Sequence, residues 1–265
     1  MSIRAPLAPI IEIEYPESDG KPMAETEVHR QEMTDLIESL AEFFRDQPDV
    51  YVGGNMLLYY VEGNPRASVA PDVFVVKGVP KHQRRTYQLW REQQPPTVIW
   101  EITSRSTRSE DLGHKRLLYA TIGVQEYYLF DPLEEYLTPP LQGLALINGE
   151  YEQIEPAADG SLFSKALGLY LRREGNRLRL VNSATGGHLL RPAELAAAHR
   201  AAEAHAATEA EARRAAEART ATEAEARRAA EARAATEAEA RRAAEKELAR
   251  LRAQLAALRG EDSAS

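Results

Sequence analysis

Residues 70–76 read APDVFVV and residues 97–103 read TVIWEIT, and these two short runs decide the fold. Both are rich in β-branched and aromatic residues and too short for a stable helix, so both are strands. The second is apolar on both of its faces, which places it in the middle of a sheet covered on both sides. Upstream, Ala24 to Arg45 carries Val28, Met33, Leu36, Ile37, Leu40, Phe43 and Phe44 at helical spacing, which predicts an amphipathic helix. Val50 to Val61 reads as two strands around Gly53-Gly54. Downstream, Ser106 to Ile122 reads as a second helix opened by Ser, Thr and acidic residues, and EYYLF at 126–130 as another strand. Residues 136–182 read as short strands with turns at Asn148-Gly149, Asp159-Gly160 and Gly175-Asn176. Helix, strands, helix and strand in that order predict a small α/β domain around a mixed sheet.

Two acidic residues stand where packing alone would not put them. Asp72 opens PDVFVV, and Glu101 interrupts the apolar run between Trp100 and Ile102. A carboxylate inside a central strand costs several kcal/mol unless it is paired or holds a cation. Two of them on neighbouring strands make an oxygen site of the kind Mg²⁺ takes, one or two carboxylates with several waters kept. Asp111, Lys115 and Tyr119 follow at i, i+4 and i+8 on the second helix, all on one side, so Lys115 can reach toward the sheet. The plainer alternatives are that Asp72, after Pro71, caps a strand edge and that Glu101 only forms a salt bridge to Lys115. His114 points about 100° away from Lys115 and reads as surface.

The chain has 265 residues and 43% hydrophobic content, enough for a real core. Its net charge of −8 argues against coating nucleic acid by bulk charge but allows a local basic groove. With no cysteine there are no disulfides, thiolate metal sites or cysteine nucleophile. The opening MSIRAPLAPIIEIEYPESDG has only a short apolar stretch, so neither a signal peptide nor a membrane anchor is expected. A soluble protein of a reducing compartment, the cytoplasm, is the simplest expectation. No glycine-rich phosphate loop, Ser-His-Asp arrangement or zinc spacing stands out.

Composition changes sharply at residue 193, which divides a domain of residues 1–192 from an Ala/Glu/Arg-rich tail of residues 193–265. TEAEARRAAEAR begins at Thr208 and again at Thr222, and TEAEARRAAE at Thr236, a period of 14 residues. Without proline or glycine between Glu194 and Arg259, this is one helix of about 66 residues, on the order of 100 Å at 1.5 Å per residue. Glu209 and Arg213, Glu223 and Arg227, and Glu237 and Arg241 stand in the favourable i, i+4 order. Leu248, Leu251, Leu255 and Leu258 keep a 3-4-3 spacing, an apolar seam that makes the helix a candidate coiled coil and the protein a candidate homodimer.

These residues resemble a known family. APDVFVV, WEITSRST, D-x-x-x-K-x-x-x-Y and GVQEYYLFDP, in this order over residues 24–155, resemble the Uma-two family of restriction-endonuclease-like proteins within the PD-(D/E)xK nuclease superfamily. The resemblance implies a restriction-endonuclease-like core of four mixed strands flanked by helices. It also implies metal-dependent hydrolysis of phosphodiester bonds, with DNA as substrate and Mg²⁺ or Mn²⁺ as cofactor. Asp72 then matches the superfamily aspartate and Glu101 the acidic residue of the (D/E)xK element, with the Ile102 carbonyl as a further metal ligand. Thr103 stands where the lysine should be, and Lys115 on the following helix is its match. Glu27 resembles the superfamily's extra acidic residue, with His29 beside it, and Asp111 and Tyr119 support the helix. The basic run Lys81, His82, Arg84 and Arg85 is a weaker candidate for nucleic-acid contact. The competing expectation is a catalytically silent module of the same fold that binds nucleic acid or protein and assembles through its tail.

Overall fold

Thr26 starts the first helix: its hydroxyl accepts the His29 N–H at 3.2 Å, and α1 then runs over Glu27–Phe43. We describe the chain from a computed structural model covering residues 13–18, 20, 26–105 and 107–261, with the side chains of 254–261 left out. The expected helix start at Ala24 and the Ser106 start of the second helix lie outside the described residues. At the other end of α1, the Lys81 ammonium donates to the carbonyls of Phe44 and Arg45, the latter at 2.9 Å. This satisfies oxygens that the helix itself leaves open.

The strands are β1 (Val50–Gly53), β2 (Leu58–Tyr59), β3 (Ser68–Val69), β4 (Val73–Lys77), β5 (Tyr87–Gln88), β6 (Val98–Ile102) and β7 (Glu126–Phe130). After them come β8 (Leu141–Ile147), β9 (Glu150–Gln153), β10 (Leu162–Ser164), β11 (Leu169–Glu174) and β12 (Arg177–Asn182). The main sheet has the order β1-β4-β6-β7-β8-β9, larger than the four-stranded core the resemblance implies. It is mixed: β6 and β7 are parallel and every other neighbouring pair is antiparallel. The segments read as two strands around Gly53-Gly54 are both strands but belong to different sheets, since β2 pairs with β3 and β5. β8 and β9 form the hairpin expected at Asn148-Gly149, whose φ values of 52° and 90° suit a two-residue turn.

Alternation along the central strands sorts the core into two layers. Val73, Val75, Val98, Trp100, Ile102, Tyr128 and Phe130 face α1 and the β10–β12 sheet. Phe74, Val76, Ile99, Tyr127 and Leu129 face the opposite way, against Leu118 and Tyr119. β6 is therefore buried at every position, as its apolar run predicts.

The parallel pair needs a crossover, and residues 108–122 supply it. It is not one continuous α-helix. α3 (Arg108–Glu110) passes into a π-helical turn, Asp111–Lys115, and then into α4 (Arg116–Ile122). A short helix, α2 (Leu89–Glu92), also lies between β5 and β6.

The last helix, α5, spans Pro192–Glu261. The chain divides into two units, Met1–Ala196 and Ala197–Ser265. In the second, Arg213–Glu217, Arg227–Glu231 and Arg241–Glu245 pair at 2.8, 2.9 and 3.4 Å, repeating every 14 residues. Each arginine turns to the glutamate four residues after it, although a glutamate four residues before it is also in reach. Leu248 and Leu251 are half exposed, and the side chains of Leu255 and Leu258 lie outside the described residues. Among the described residues no helix is long and apolar enough to cross a membrane.

Candidate active site

The register of β4 against β6 builds the site. Val73 pairs with Trp100, so Asp72 and Glu101 are the next residues in line, on facing strands. Glu101 is 1% exposed and continues the Ile99 face toward the crossover. There Lys115 Nζ lies 2.8 Å from its Oε2, and the Tyr119 hydroxyl donates to its Oε1 at 2.7 Å. Lys115 also pairs with Asp111 Oδ1 at 2.9 Å. The Asp111 backbone carbonyl accepts the Tyr127 hydroxyl at 3.1 Å, fixing the π-helical turn to β7. The spacing of Asp111, Lys115 and Tyr119 in the sequence is thus realised as one converging face.

Asp72 closes the other side. Its Oδ2 accepts the Ile102 N–H at 2.7 Å, and His29 Nε2 lies 3.3 Å from its Oδ1. It does cap the strand edge, and it faces Glu101 as well. Gly54 makes room for it: a Cβ there would lie 2.2 Å from the Asp72 carbonyl oxygen and 2.6 Å from Ile37 Cδ1. His29 is buried and in the cluster, whereas Glu27 is exposed on the same first turn of α1. His29 is the nearer participant, although the resemblance gives it the lesser role.

Burial pushes the Glu101 carboxyl up to about 8; the Lys115 ammonium opposes this, and the Asp72 and Asp111 charges add to it. Burial likewise raises Asp111, again against Lys115. For Lys115 burial acts downward, but the Glu101, Asp111 and Asp72 carboxylates outweigh it and hold the ammonium charged. Three carboxylates therefore surround one lysine.

The family model described as "Putative restriction endonuclease", Uma2, matches residues 4–183. The chain belongs to the Uma2 family. A chain described as a "putative nuclease belonging to DUF820" from Anabaena variabilis is similar at 17% identity, over 57% of this chain and 80% of that one, with a TM-score of 0.41. No curated protein matches. The Uma2 assignment makes this a nuclease-family protein with a mixed sheet, flanking helices and a long C-terminal helix.

Among the described residues of this Uma2 chain, no three or more histidine or acidic groups are arranged to hold a metal ion. Asp72 and Glu101 are the two carboxylates that come together at the strand ends, and Mg²⁺ is a cation that one or two carboxylates can hold. Thr103, where the resemblance leads one to expect a lysine, is buried, and among the described residues its hydroxyl has no hydrogen-bond partner. Nothing in the sequence distinguishes that hydroxyl from an ordinary strand threonine.

The basic run after β4 has partners within the fold. Lys81 holds the α1 carbonyls. Arg84 binds Glu92 with two hydrogen bonds, 2.7 and 2.9 Å, and lies 4.2 Å from the Tyr51 ring centre. Arg85 pairs with Glu17. These partners, from Glu17 to Glu92, lie outside the run itself, which a local reading of charge does not reveal.

Proposed function

We propose that this Uma2 protein is a metal-dependent DNA endonuclease whose centre is Asp72, Glu101 and Lys115, with Mg²⁺ or Mn²⁺ held by the two carboxylates and the Ile102 carbonyl. The observation that carries the reading is Glu101: a carboxylate 1% exposed in mid-strand, opposite Asp72, with a buried lysine at 2.8 Å. Without metal, Glu101 holds a proton at neutral pH; a divalent ion between Asp72 and Glu101 would displace that proton and let both carboxylates stay charged. A bound ion would polarise the phosphate and lower the pKa of a bound water. Lys115 would stabilise the charge that grows on the phosphoryl oxygens. Tyr119 and His29 fix the second oxygens of Glu101 and Asp72, and Asp111 aims the lysine. Glu27, exposed in the first turn of α1, would support the metal as the resemblance implies. In this reading two copies join through their tails, which suits cutting both strands of a duplex.

One observation favours the competing reading of a catalytically silent module. Each oxygen of Glu101 already has a protein donor, and each oxygen of Asp72 faces one. Such a cluster can stand closed without metal. Thermal melting separates the two. Mn²⁺ or Mg²⁺ should raise the melting temperature of wild type but not of Asp72→Ala or Glu101→Ala, because a ligand of the native state must stabilise it. An equal shift in all three proteins, or none in wild type, would overturn the metal assignment.

A further inference from the structure

Two other arginines lie closer along the chain to Glu101 than the basic run after β4 does. Arg105 and Arg108 are exposed, and among the described residues neither guanidinium has an ion pair or a hydrogen bond, although the Arg105 charge is close enough to act on the Tyr136 phenol. Arg105 lies three residues beyond the end of β6, just past Glu101. Arg108 opens the crossover, three residues before Asp111, so it sits one helical turn from the residue that aims Lys115. The backbone that carries them is tied down at both ends. Thr103 N–H donates to the Phe130 carbonyl at 2.8 Å, and Arg108 N–H to the Ser104 carbonyl at 3.1 Å. Between them, Ser104 N–H donates to Thr107 Oγ1 at 3.1 Å. These bonds hold the backbone of Ser104 and Arg108 close to the strand end that bears Glu101.

Electrostatics gives them a task. A phosphodiester chain approaching this site meets the acidic side chains Asp72, Glu101 and Asp111 set against a single lysine, on a protein of net charge −8. Close approach needs local cations at the mouth to offset that repulsion. Arginine suits it, because its planar fork matches phosphate oxygens and its charge is permanent. We infer that Arg105 and Arg108 bind the phosphate backbone of a polynucleotide beside the Asp72–Glu101–Lys115 centre, independently of base sequence. This rests on the nuclease reading of that centre.

The test is binding without turnover. The full-length protein is titrated, with chelator present, into fluorescein-labelled DNA duplex and single strand, and anisotropy is read over a range of NaCl concentrations. The Arg105→Ala/Arg108→Ala double variant should bind the duplex at least about tenfold more weakly. Its log affinity should also fall less steeply with log salt, by about 1.8, since each lost phosphate contact accounts for about 0.9. The double Arg→Lys variant should restore most of the slope. Arg66→Ala/Lys165→Ala removes the same charge from exposed positions elsewhere in the same unit and should bind as wild type. The inference is overturned if the arginine variant binds as wild type, if the control variant loses as much, or if wild type shows no binding. Cleavage is assayed in parallel: arginine-dependent binding without cleavage would refute the nuclease reading and leave this inference standing. Unimpaired cleavage by the double arginine variant would do the reverse.

Discussion

Glu101 has Trp100 and Ile102 beside it in the chain and, among the described residues, Lys115 and Tyr119 to meet its carboxylate, so its charge has no solvent to fall back on. Its carboxyl, pushed up to about 8 from an ordinary 4.5, makes stability depend on pH in a definite direction. Between those values the native protein holds a proton that the unfolded chain releases. The contribution is complete below about pH 4.5 and is lost as pH rises through about 8. In chelator, the melting temperature of wild type should therefore fall from pH 5 to 9, and Glu101→Gln should flatten that fall. A Glu101→Gln protein with the same pH dependence as wild type would show that this carboxyl titrates normally. Glu101 was legible in the sequence because an acid within VIWEI has no packing reason to be there. The weight of His29 was not, because its approach to Asp72 depends on how α1 lies across the strand end. The partners of Lys81, Arg84 and Arg85 were hidden for the same reason: a sequence displays a cation, while its partner lies at Phe44, Glu92 or Glu17.

At the scale of elements, α1, β4, β6 and β7 follow from long apolar patterns, and the structure places them in one layered unit. β2, β3 and β5 are two residues each, too short to show any periodicity, and they form only because the sheet β3-β2-β5 assembles. The π-helical turn was equally hidden: Asp111–Lys115 has the residues of a continuing helix, and only the bonding to β6 and β7 selects the wider turn. The link between β1 and β2 carries a sharper requirement. Gly54 packs against the backbone of Asp72, so any side chain there must displace that strand end. Gly54→Ala should lower the melting temperature by several degrees, on the scale of about 1–3 kcal/mol for overpacking. It should also abolish the metal-induced shift, which a variant distant from the site would retain. A Gly54→Ala protein with normal stability and a normal metal response would contradict the close approach.

At the scale of the whole molecule, the 14-residue repeat explains the tail as a helix held by its own ion pairs, and the leucines near its end as a reason to associate. Leu248 and Leu251 stay 50% and 48% exposed in a single chain, and burying a leucine is worth roughly 1.5–3 kcal/mol. The first turn of α5 belongs to the folded unit: Glu194 holds Arg179 through two contacts of 2.8 Å, and that contact keeps its carboxyl down near 2. Truncation after Ala196 should therefore leave a folded, metal-responsive unit that sediments as a monomer, beside a full-length dimer at about 100 μM. Full-length protein that sediments as a monomer, or a dimer unaffected by the truncation, would contradict assembly through the tail. The central claim is that Asp72, Glu101 and Lys115 form a metal-dependent phosphodiester-cleaving centre, and cleavage itself tests it most directly. Wild type, Glu101→Ala and Lys115→Ala are incubated with mixed DNA and RNA substrates, with and without Mg²⁺ or Mn²⁺. Metal-dependent cleavage of DNA by wild type, absent in Glu101→Ala and reduced roughly tenfold to a hundredfold in Lys115→Ala, is the expected result. Cleavage that persists in Glu101→Ala, or none by wild type with either metal, would contradict it.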